Sequence, residues 1–150
     1  MRCTALLATV AALCAGCGDQ RSGTPTADEL HLPAGLQVEA EDINCVDQDD
    51  QPPACFRGLL VVPEDEARGR YRTSKQVVRA VLGGLRDAGW TFIVATQPIG
   101  ASNDDGATAF VDVRTPSKIQ GWTAALTARH RELRAEETPV AVVFVTPRRF

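Results

Sequence analysis

The chain predicts a single α+β domain, and three observations carry that expectation. Apolar runs of strand length alternate with two segments of helical period, and turn residues mark most of the boundaries between them. The strongest apolar run, VAVVFVT, comes close to the C-terminus. Residues 36–150 suffice for one hydrophobic core and leave no room for a second domain.

Taken in order, Phe56 to Val62 (FRGLLVV) is a short apolar run stopped by Pro63, which predicts a buried strand. The polar stretch PEDEARGRYR follows, and a helix is expected from Thr73 or Ser74, whose hydroxyls can accept from first-turn amides. Val77, Val78, Val81, Leu82 and Leu85 recur at helical spacing, with Arg79 and Arg86 on the polar side and Gly89 suited to a left-handed C-terminal position. Gly83-Gly84 inside this helix costs about 1 kcal/mol per residue relative to Ala, which predicts close packing against a neighbour.

Trp90 to Gln97 (WTFIVATQ) and Thr108 to Arg114 (TAFVDVR) are expected as a hairpin joined through GASNDDGA. Thr115-Pro116 marks a second helix start, because Pro at the first helical position wastes no amide donor. Ile119, Trp122, Leu126 and Leu133 should face inward, with Arg129, Arg131 and Arg134 towards water. Val140 to Thr146 then closes the chain as a strand. The order strand, helix, strand, strand, helix, strand resembles a ferredoxin-like βαββαβ two-layer sandwich, with both helices on one face of the sheet. Leu36, Val38 and Ala40 alternate with Gln37, Glu39 and Glu41, so this segment is expected to add a strand or lie across the other face. A second copy of the chain is the other way to cover that face.

The N-terminal segment is of a different kind. Arg2, an apolar run from Ala5 to Leu13, and Ala15-Gly16 directly before Cys17 resemble the signal of a bacterial lipoprotein. That run is too short to span a bilayer, which takes about 20 apolar residues. The resemblance implies export, cleavage after residue 16 and acylation of Cys17, which places the protein on the extracytoplasmic face of the cell membrane. Residues 17–35 are rich in Gly, Pro, Ser, Thr and charge and are expected as the lipidated cysteine and its flexible tether. Five cysteines then resolve: Cys3 and Cys14 leave with the signal, Cys17 carries lipid, and Cys45 and Cys55 remain as one disulfide pair in an N-terminal extension. No histidine lies near that pair, which disfavours zinc.

Catalytic motifs are missing from the sequence. No GxSxG, GxxxxGK[ST] or HExxH pattern occurs, and no catalytic residue, metal or cofactor is expected. His130, between Arg129 and Arg131, reads as a surface histidine whose cationic neighbours resist protonation. Asp47, Asp49 and Asp50 read as a solvated acidic loop, because Gln51-Pro52-Pro53 replaces the rest of a calcium-loop pattern.

Charge is unevenly divided. Residues 19–66 carry twelve acidic against two basic side chains, and residues 67–150 seven acidic against thirteen basic. Either the acidic segment screens the basic part of the fold, or an Arg-rich face including Arg68, Arg70, Arg72, Arg148 and Arg149 meets an anionic partner. The expectation is a lipid-anchored, non-catalytic binding or accessory domain, with an envelope protein or anionic polymer as partner and no nucleic acid. The alternative is an envelope enzyme or small-ligand binder that uses carboxylates such as Asp112 beside walls of Trp90 and Trp122.

Overall fold

The alternating apolar pattern does produce a sheet, but a larger one than expected. The computed structural model describes residues 24–49, 51–116 and 122–147. Within them β1 (Leu36–Gln48), β2 (Gln51–Pro63), α1 (Ser74–Asp87), β3 (Thr91–Val94), β4 (Ile99–Ser102), β5 (Thr108–Asp112), α2 (Ala124–Ala135) and β6 (Ala141–Val145) follow one another in the chain. The six strands form one sheet in the order β1-β2-β6-β5-β4-β3, every adjacent pair antiparallel. The architecture is therefore α+β, as expected, but the strand order is not the ferredoxin-like one. β6 lies between β2 and β5, and β1 and β4 extend the sheet.

The two helices also lie on opposite faces rather than together. Both central strands are apolar on both sides, so each face needs cover. Leu59, Val61, Ala141, Val143 and Val145 pack with Val77, Val81 and Leu85 of α1. Leu60, Val62, Val140 and Val142 point the other way and pack with Leu126 and Leu133 of α2. Burial of a Val or Leu side chain contributes about 1.5–3 kcal/mol, which makes this two-sided ladder the main stabilising element.

Local signals place most boundaries. Thr73 and Gln76 form a reciprocal capping box at the start of α1. At its end Gly89 adopts φ +86°, and the Trp90 amide reaches back to the Leu85 carbonyl over 2.9 Å. The second helix starts later than expected: Thr115 and Pro116 are not helical, and Thr123 caps α2, its hydroxyl accepting from the Leu126 amide. Ile119 lies outside the described residues. The expected hairpin is a three-strand meander, because Gln97-Pro98 interrupts the apolar run and Ile99–Ser102 turns back as β4.

Two N-terminal expectations meet different outcomes. The disulfide is formed: Cys45 and Cys55 face each other across the β1–β2 ribbon. That ribbon runs beyond the end of β6, which leaves Pro52 and Pro53 on a stretch of β2 that, among the described residues, has no second partner strand to supply with amides. The tether expected over residues 17–35 is, from Thr24 onward, part of the domain. Leu30 is fully buried against the α1 core, Pro25 is equally enclosed, and the Thr24 hydroxyl donates to the Cys55 carbonyl. Gly84 explains the docking, since a Cβ there would lie 2.3 Å from the His31 carbonyl oxygen. Gly83 has no such neighbour.

Candidate functional site

The pairing of β2 with β6 sets two helix ends side by side. Val61, near the end of β2, lies opposite Ala141 at the start of β6. The start of α1, which follows β2, therefore meets the end of α2, which precedes β6. The Val140 amide donates to the Ser74 hydroxyl over 3.0 Å and ties the two together. An open cleft of about 510 Å³ lies at this junction, with Arg72, Lys75, Arg134, Glu137 and Val113 among its walls.

Three cations and one carboxylate thus line the cleft at the positive end of the α1 dipole. Arg72 is oriented by its own loop, with Nε donating to the Gly69 carbonyl over 3.1 Å and its amide to Gln76 Oε1 over 2.8 Å. Arg134 sits in the last turn of α2. Glu137 follows that helix in a left-handed backbone at φ +57°, donating its amide to the Arg134 carbonyl while the Thr138 amide reaches Leu133. This is a Schellman turn with Glu where Gly is usual.

His130 lies beside the cleft, its Nε2 3.2 Å from the Val113 carbonyl, to which it donates when that nitrogen carries the proton. Burial lowers its pKa below the ordinary 6.5, the Val113 carbonyl opposes this, and Arg134 adds to the lowering. The depressed pKa follows the expectation, but Arg129 and Arg131 are not its cause. Arg129 turns away, bridging Glu39 of β1 and Glu132 of its own helix, and these carboxylates hold it still more firmly in its charged form. Glu39 and Arg129 show that the acidic segment does meet part of the basic one.

The expected Arg68, Arg70 and Arg72 face is divided. Arg68 pairs with Asp65 at 3.0 Å, and Arg70 stacks over Tyr71 and donates to the Ala34 carbonyl. Of the three, Arg72 joins the cleft, together with Lys75 and Arg134, which the sequence did not single out for this role. The helix-end position of each was legible, but the strand pairing that unites them was not. Cys17, Arg148 and Arg149 lie outside the described residues.

A Trp-walled pocket is not formed. Trp90 is buried in the α1-side core, whereas Trp122 packs on the α2 side, its indole donating to Thr127 Oγ1 over 3.0 Å. The sheet separates them. Asp112 accepts from the adjacent Val113 amide and stands 4.0 Å from Arg114. The hydroxyls of Thr73 and Ser74 are engaged with backbone amides. The cleft offers cations and amide dipoles, which suit the holding of an acidic group. No family model, curated protein or solved structure matches this chain.

Proposed function

We propose that this chain is a lipid-anchored envelope lipoprotein whose exported domain is a non-catalytic binding module, with the cleft between α1 and α2 receiving an acidic group of an envelope protein or anionic polymer. The convergence of Arg72, Lys75 and Arg134 on one concavity carries the binding part of this reading. Ala15-Gly16-Cys17 after an apolar run carries the anchor. Salt at physiological strength screens exposed charges beyond about 8 Å, so cations act together on one ligand group only when gathered in this way.

The test is charge reversal of Arg72, Lys75 and Arg134 to Glu in the full-length protein, read as binding to a polyanion and to anionic vesicles at low salt. Binding should weaken at least about tenfold, added salt should have the same effect, and reversal of Arg68 and Arg70 should change little. Binding that survives the triple reversal, or that is absent from the parent at low salt, overturns the proposal.

A further inference from the structure

The cleft between α1 and α2 holds opposite charges that are not paired with one another. Elsewhere neighbouring charges do pair: Arg57 with Glu41, Arg68 with Asp65, and Arg129 with Glu39 and Glu132. In the cleft, among the described residues, the side chains of Lys75, Arg134 and Glu137 form no ion pair and no hydrogen bond. All three are exposed. Glu137 moreover stands at φ +57°, a left-handed position that Gly fills with less strain, so the fold itself gives no reason for a side chain there.

The cleft also lies at the far end of the sheet from the point where the chain joins it. Thr24 is held at Cys55, and from there the segment runs beside α1 to Gly35, whose carbonyl accepts from the Glu64 amide. Seven steps along β2, from Cys55 to Val62, cover about 23 Å. An anchor on Cys17 would therefore leave the cleft at the end remote from its own bilayer, open to partners from the compartment.

A partner charged only negatively would set one of its charges against Glu137. A segment with acidic side chains for Arg72, Lys75 and Arg134 and a basic one for Glu137 answers both signs. We infer that the cleft docks a mixed-charge segment of a partner protein, and that Glu137 selects this segment over a purely anionic chain or a headgroup surface. The inference rests on the cleft as the binding site, yet it fails separately: the three cations decide whether an acidic group is held, and Glu137 decides what accompanies it.

The test uses the full-length protein in 0.15 M salt, where exposed charges act on one another only within about 8 Å. The probes are a fluorescent peptide with two adjacent glutamates and a lysine, the same peptide with that lysine replaced by glutamate, and anionic vesicles. The parent should bind the mixed peptide about threefold more tightly than the all-glutamate one, the scale of one exposed ion pair. Glu137→Gln should abolish that preference and Glu137→Lys should reverse it. Asp104→Asn, which removes a carboxylate from the β4–β5 turn at the other end of the sheet, should leave it unchanged. Circular dichroism checks that these exposed substitutions keep the fold. A parent that binds the all-glutamate peptide equally or better, or binds vesicles but not the mixed peptide, overturns the inference and leaves the cleft as an anion site. So does a preference that survives Glu137→Lys. A parent that binds none of the probes overturns this inference and the cleft reading together.

Discussion

Glu137 holds a left-handed backbone, φ +57°, at the position after a helix where Gly is usual. A side chain costs about 1–2 kcal/mol in that conformation, so Glu137→Gly should stabilise the domain by about 0.5–1 kcal/mol once the greater freedom of unfolded Gly is offset. A urea midpoint that falls instead would show that the carboxylate makes a larger stabilising contact in the cleft. His130 gives a pH dependence of definite sign. Its folded pKa lies below 6.5, chiefly through burial, so the unfolded chain binds more protons between the two values. That stability is complete above the unfolded value and is lost as pH falls towards the folded one. Thermal melts from about pH 7 to about pH 5.5 should therefore show a steeper loss for the parent than for His130→Gln.

Among the elements, α1 and the segment docked on it meet at a single glycine. Gly84→Ala places a Cβ against the His31 carbonyl, which is backbone and cannot swing aside, so the docked segment must shift. A loss of about 1–3 kcal/mol is expected, as for other overpacked sites. Gly83→Ala meets nothing within 4 Å and should gain up to about 1 kcal/mol of helix propensity. Chemical denaturation of the two variants separates them by sign. The β1–β2 ribbon leans on its crosslink, because past β6 no third strand pairs with it among the described residues. Closing ten residues of sequence between Cys45 and Cys55 is worth about 2.5–3 kcal/mol in the chain-entropy model. The Cys45→Ser, Cys55→Ser double variant should lose about that amount, with hydrogen exchange rising first in the ribbon.

For the molecule as a whole, docking from Thr24 onward changes the expected geometry at the membrane. Residues 18–23 join Cys17 to Thr24, the first of the described residues and a buried one, and even a fully extended chain of that length reaches about 25 Å at most. A lipid on Cys17 would thus hold the domain close to the headgroups. Cys17→Ser should move the protein from the membrane fraction to the soluble one, and intact mass of the parent should show acyl chains on that residue. An unmodified Cys17 in the parent, or a variant that stays membrane-bound, would remove the anchor.

What the sequence determined by itself is what depends on near neighbours in the chain. The capping box at Thr73, the left-handed Gly89, the apolar face of α1 and the strand at Ala141–Val145 all follow from local chemistry and period. The Cys45–Cys55 pair followed from counting thiols once a lipoprotein signal was assumed. Tertiary structure decided everything that depends on which strand lies beside which. Period-2 apolarity in FRGLLVV and VAVVFVT showed that both faces needed cover, but nothing local placed β6 between β2 and β5 or sent the helices to opposite sides. Composition misplaced residues 24–35, because their apolar residues, Leu30 and Pro25 among them, follow no sustained period, and the segment docks where Gly84, more than fifty positions away, leaves room for the His31 carbonyl. The cleft has the same origin: Arg72, Lys75 and Arg134 converge through an antiparallel pairing, a long-range choice made by packing energy summed over the whole core.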